Sequence, residues 1–141
     1  MSSINALISL ASYWKRWTDP SLVVVVLNNG DLNYVTRDQR LLDGMPKFSA
    51  SQDLPAFPYA DYAESLELVG IRIDTPDRNV SALDEAFAAD RPVLVEAVVD
   101  GNVPPVPPQL TDELREKLDA ALAQGDPEAA EVRRRIEAER V

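Results

Sequence analysis

The run Leu22-Val23-Val24-Val25-Val26-Leu27 constrains this chain more than any other feature. A strand with one wet face alternates apolar and polar residues. This one does not, so both of its faces need cover, the condition of a strand in a parallel sheet between helical layers. Two more segments look similar: Ile71-Arg72-Ile73 after Gly70, and the longer Pro92-Val93-Leu94-Val95-Glu96-Ala97-Val98-Val99. A helical pattern precedes each. Tyr62, Ala63, Leu66 and Val69 share one face, with Gly70 expected as the left-handed residue that closes the helix. Val80, Leu83, Ala86 and Phe87 share another, ended by Asp90-Arg91-Pro92. At the N-terminus Ile4, Leu7, Ile8, Ala11 and Trp14 follow helical spacing, with Ser2 or Ser3 as cap. Helices alternating with strands predict an α/β fold. Three strands are few for a doubly wound sheet, which commonly has about five or six. The expectation is therefore a partial doubly wound parallel sheet, cut at its N-terminal edge and followed by C-terminal helices.

Residues 43–60 carry three prolines and little periodicity, and are expected to form a long ordered loop. Val103-Pro104-Pro105-Val106-Pro107-Pro108 has the composition of an extended linker. Beyond it Thr111 caps a helix with Leu110, Leu114, Leu118 and Leu122 on one stripe. Gly125 stops that helix, and Asp126-Pro127 opens another, with Asp as cap and Pro in the first position. The division expected is 1–102, a linker at 103–110, and a helical extension at 111–141.

Composition excludes several chemistries. The chain has no histidine and no cysteine, so it offers no Ser-His-Asp triad, thiol nucleophile or disulfide framework. Only Lys15, Lys47 and Lys117 could form a Schiff base. A formal charge of −10 disfavours nucleic acid and anionic membranes as partners. No stretch of ~20 apolar residues spans a bilayer, and the first residues do not pattern as a signal peptide. A cytoplasmic setting is expected. Trp14 and Trp17 fit core and rim packing. Asp61 with Glu64, and Asp84 with Glu85, fit solvated helix faces, and Arg133-Arg134-Arg135 fits pairing with neighbouring glutamates.

The turn after the valine run, Asn28-Asn29-Gly30-Asp31, has two readings. Asn29-Gly30 suits a two-residue hairpin joining Leu22–Leu27 to Leu32–Thr36. Against that, Leu32, Val35, Gln39 and Leu42 recur at helical spacing. The turn would then present polar groups at the C-terminal end of a parallel strand, where open α/β sheets bind ligands.

The segment VVVVLNNGDLNYVTRDQR resembles the NN end of the GDG…NN motif of thiamine-diphosphate enzymes of the pyruvate oxidase and acetolactate synthase type. INALISLASYWKRW resembles the helix between the two ends of the motif. FPYADYAESLELVGIRID resembles the next helix–strand unit, and ADRPVLVEAVVDGNVPPVPP the closing strand with its proline-rich exit. The likeness runs collinearly over roughly residues 1–110.

That resemblance implies a domain that binds thiamine diphosphate through Mg²⁺, in an enzyme acting on a 2-oxo acid such as pyruvate. It implies Asn28, Asn29, Gly30 and Asp31 at the cofactor, with the Asn29 side-chain oxygen and the Asp31 carbonyl as metal ligands. Hard, near-octahedral oxygen donors suit magnesium, and a neutral amide adds no charge beside a diphosphate. It also implies a homo-oligomer for the complete enzyme, and leaves open whether the parent carries flavin. The chain contains no Gly-Asp-Gly, so the carboxylate ligand is missing. The chain is thus expected to be the C-terminal piece of a longer enzyme, without activity alone. The alternative is a non-catalytic α/β module that associates through an open sheet edge.

Overall fold

A computed structural model describes residues 4–103, 106 and 109–138. Ser2 and Ser3, expected as caps, and most of the proline segment lie outside the described residues. The chain divides into two compact units, Met1–Asn28 with Phe57–Val99, and Asn29–Ala56 with Asp100–Val141.

The first unit is the parallel sheet. Strands β1 (Val23–Asn28), β2 (Val69–Ile73) and β3 (Val93–Val98) are arranged in the order β1-β3-β2, both pairings parallel. Val23 registers with Val93 and Val26 with Glu96. Central β3 is the most deeply buried: Val93, Leu94 and Val95 are each 2% exposed or less. Helices α1 (Ile4–Tyr13) and α4 (Tyr59–Ser65) cover one face, where Leu7, Tyr59, Ala63, Leu68 and Leu94 form a cluster with Trp14 packed against it. Trp17 is exposed, so the tryptophans take their expected core and rim positions. Helix α5 (Asn79–Ala88) covers part of the other face through Ala82 and Ala86, packed on Ile71, Ile73, Val93 and Val95.

Two details correct the sequence reading. Gly70 lies inside β2 rather than closing α4. A Cβ at Gly70 would come within 2.1 Å of the Ala60 carbonyl oxygen, so glycine is needed there to let helix and strand approach. The left-handed residue is Glu67, at φ +62°. Its N–H donates to the Glu64 carbonyl and that of Leu68 to the Ala63 carbonyl, the paired bonds of a Schellman cap. On α5 the buried stripe is Ala82–Ala86, whereas Val80 and Phe87 are both 73% exposed. Small residues let this helix sit close to the sheet, and the bulky ones turn away.

The second unit is helical. It contains α2 (Asn33–Leu42), a single helical turn α3 (Ser49–Gln52), α6 (Asp112–Ala123) and α7 (Ala129–Ala138). The hairpin alternative is therefore excluded, because Asn33 onward is helix. Thr111 caps α6 as expected, its hydroxyl accepting the Leu114 N–H. The leucine stripe packs as read, with Leu41, Leu118, Leu122 and Val132 at the centre and Leu110 and Leu114 beside them. Helix α7 starts two residues after Pro127, although the Asp126 carboxylate does accept the Glu128 N–H. The arginine run pairs within its own surroundings: Arg135 Nε donates to Glu131 at 2.8 Å, and Arg134 also reaches Glu131.

Candidate functional site

The four residues singled out after the valine run divide into two groups. Asn28 is not a turn residue but the last residue of β1. Its side-chain amide donates to Glu96 Oε1 at 2.7 Å. Glu96 is 1% exposed and also accepts from Arg72 NH1 at 2.7 Å and the Ala60 N–H at 3.2 Å. Asn28 is thus one of three donors that let a carboxylate sit beneath α4, since a buried charge persists only when its lone pairs are filled.

Asn29, Gly30 and Asp31 open the second unit. The Asp31 N–H donates to Asn29 Oδ1 at 3.1 Å, an Asx turn that fixes the direction of this amide oxygen. Gly30 has φ +66°, a conformation costly for any residue with a Cβ. Two backbone bonds pin the loop to a second segment: Leu32 N–H to Gln52 O at 2.9 Å and Leu54 N–H to Gly30 O at 2.8 Å. Asn29 and Asp31 are therefore joined by a hydrogen bond, while the Asn28 side chain joins a different set of partners.

Helix α2 begins directly after this loop. Leu32 stands at its N-cap without a side-chain cap, and the Leu32 carbonyl accepts the Val35 and Thr36 N–H groups at 2.8 and 3.1 Å, so the positive end of the helix dipole lies beside the turn. The adjacent Asn33 amide donates to the Gly101 carbonyl.

Behind the loop lies a set of buried polar residues that the sequence reading missed. The Asp31 carboxylate, 7% exposed, accepts from the Thr36 hydroxyl at 3.0 Å and lies 3.5 Å from Lys47 Nζ. Lys47 Nζ also pairs with Asp53 and with Glu128, each at 2.7 Å. Glu128 in turn binds Arg40 NH2 at 2.8 Å, and Arg40 Nε lies 2.8 Å from fully buried Asp126. The Gln52 side-chain oxygen accepts the Phe48 N–H at 3.0 Å. Burial alone would raise the Asp126 pKa, but the Arg40 hydrogen bonds and the N–H groups of Lys47 and Glu128 hold it below the usual carboxylate range. Burial would likewise depress Arg40 and Lys47. Asp126 with Glu128 outweighs it for the first, and Asp53 with Glu128 for the second, so both are raised. The one local signal for this set was Thr36 and Arg40, four apart on one helix face.

Residues 1–97 match the family described as thiamine pyrophosphate enzyme, C-terminal TPP binding domain. The chain belongs to this family. It is also 31% identical over 90 residues to YdaP of Bacillus subtilis (strain 168), a protein named as thiamine pyrophosphate-containing. That match covers 64% of this chain and 15% of the relative, so the chain spans only a small part of that relative's length. No solved structure matches.

The donors at the turn have the chemistry that a hard divalent cation accepts. The Asn29 oxygen is a hard neutral donor with one lone pair engaged by the Asp31 N–H, leaving the other for a cation. The Asp31 carboxylate is committed to Thr36 and Lys47, and among the described residues no three carboxylates group to hold a metal. An anionic protein ligand is thus not part of what this turn offers. No helix among the described residues is long and apolar enough to cross a membrane.

Proposed function

We propose that residues 1–102 form the diphosphate side of a thiamine-diphosphate enzyme acting on a 2-oxo acid such as pyruvate, of pyruvate oxidase or acetolactate synthase type. Residues 103–110 would be a linker and 111–141 an extension. The observation that carries this reading is the Asx turn at Asn29, which with left-handed Gly30 leads straight into α2. Asn29 Oδ1 and the Asp31 carbonyl would hold Mg²⁺. Gly30 would let the backbone turn toward the diphosphate, and the first amides of α2 would face its negative charge. When bound, the cofactor supplies the electron sink for decarboxylation or acyl transfer. The residues of this turn hold and orient the cofactor and move no proton. The Arg40 and Lys47 cations are engaged by carboxylates, so neutralisation of the diphosphate falls to the metal.

With no Gly-Asp-Gly carboxylate in the sequence, the chain alone is expected to bind weakly and to turn over no pyruvate. A paramagnetic titration tests the reading. Mn²⁺ with thiamine diphosphate should broaden the amide resonances of residues 29–34 in the full chain, and Asn29→Ala should abolish this. Broadening spread over exposed carboxylates, or absent from residues 29–34, would refute it. Micromolar saturation in a calorimeter, or release of carbon dioxide from pyruvate, would overturn the expectation of inactivity.

One observation favours a second reading, a non-catalytic module joining another chain. The valine strand stands at a sheet edge with Val25 52% and Leu27 69% exposed, a ready template for pairing. Light scattering separates the two readings: a monomer over a wide concentration range counts against the module.

A further inference from the structure

The ion-pair chain of the second unit ends on two residues, Asp126 and Glu128, that lie beyond the segment matching the family. We propose that Asp126 and Glu128 act as positioning residues for the Asn29–Asp31 turn, working through Arg40 and Lys47. The part of this inference that concerns the cofactor rests on the function proposed above.

The links to Asp126 are short and buried, those through Glu128 are short and half-buried, and Lys47 Nζ lies 3.5 Å from buried Asp31. Glu128 grips both cations, Lys47 Nζ through Oε1 at 2.7 Å and Arg40 NH2 through Oε2 at 2.8 Å. Asp126 receives Arg40 through Nε at 2.8 Å and NH2 at 2.9 Å, a two-pronged geometry, and also the Lys47 backbone N–H at 2.8 Å. Lys47 is thereby fixed at both its backbone and its ammonium. That ammonium faces Asp31 and Asp53, the two residues joined by the antiparallel bridge that closes the turn. Thr36, fully buried, holds the Asp31 carboxylate from the other side. The turn is therefore held by side chains whose positions depend on the start of α7. Two cations face four carboxylates here: deleting Arg40 takes the guanidinium from buried Asp126, and deleting Lys47 takes the ammonium from buried Asp31. Unsatisfied charges in such a network cost far more than exposed pairs would.

Hydrogen exchange in the full chain, with no cofactor present, tests the proposal. Glu128→Gln should speed exchange at the Leu32 and Leu54 amides roughly tenfold or more, because charge-assisted bonds are lost. Amides of the first unit's central strand should keep their rates. Lys47→Arg, which keeps the charge, should stay close to wild type, whereas Lys47→Met should behave like Glu128→Gln. Asp126→Asn is the harsher variant; Glu128→Gln, at a site 29% exposed, keeps the test readable if that one unfolds. Unchanged exchange at Leu32 and Leu54 in both Glu128→Gln and Lys47→Met would overturn the proposal. Loss of protection throughout the second unit in Glu128→Gln would also overturn it, since the residue would then support the helices generally. The Mn²⁺ titration separates the two readings. If wild type shows no broadening at residues 29–34 while Leu32 and Leu54 respond as expected, the cofactor assignment fails and the bracing stands.

Discussion

The two compact units are held by different forces. In the first, the sheet lies between apolar clusters, and its buried charge, Glu96, is satisfied by Asn28, Arg72 and a backbone amide. In the second, a leucine cluster shares the interior with Arg40, Lys47, Asp31 and Asp126. Apolar burial is non-directional and tolerates exchange of similar shapes. A buried ion-pair chain demands particular partners and adds little net stability over a hydrophobic substitute, while losing one partner is costly. The turn proposed to hold the cofactor belongs to the unit where position is specified by charge.

The sharpest way to break this contrast is Arg40→Met, which strands the Asp126 carboxylate. It should cost about 3–5 kcal/mol, measured as a shift in the urea midpoint. Pairing it with Asp126→Asn, which removes the charge but keeps an acceptor for a backbone N–H of Lys47 or Glu128, should recover part of that loss, an outcome expected only if an unpaired charge is the cause. In the first unit Leu94→Ala should cost about 3 kcal/mol through the cavity it leaves, and no partner change should rescue it.

Acid should separate the units next. Asp126 has a folded pKa below its ordinary 3.8, so its contribution is present above about pH 4 and is lost as pH falls through the depressed value. The Lys47 and Glu128 amide shifts report on that carboxylate and should titrate together with a midpoint below 3.8; a midpoint at or above it would refute the assignment. Lys47 is raised, so its contribution persists through neutral pH and fades only as alkali titrates it above about pH 10.4.

The smallest expected effect is a gain. Glu67→Gly relieves a left-handed backbone at a helix cap, and should stabilise the first unit by about 0.5–1 kcal/mol. Its exposed ion pair with Lys15 is worth little, so a net loss would show that the pair matters more than the backbone.

Much of the fold was legible because its signals are local. Four valines without polar interruption imply a parallel strand, which β1 is, but not the cover expected on both faces, since at the sheet edge Val25 is 52% and Leu27 69% exposed. Thr111 before an apolar stripe implies a capped helix, which α6 is. The misreadings came from assuming that large apolar residues face inward and that glycine ends helices. On α5 the sheet leaves room for Ala82 and Ala86, not for Phe87. At Gly70 the constraint is the Ala60 carbonyl of a helix ten residues earlier.

For the site, the Asn29-Gly30 turn was visible because an Asx turn and a left-handed residue involve only neighbours in sequence. The network behind it was not. Arg40 meets Asp126 and Lys47 meets Glu128 across some eighty residues, a separation that no local pattern bridges. Local sequence determined which segments fold as helix, strand and turn, since backbone preference and hydrophobic period act over a few residues. Only tertiary structure decided which charges would be buried together, because desolvation is offset only when distant chain segments bring opposite charges within hydrogen-bonding distance.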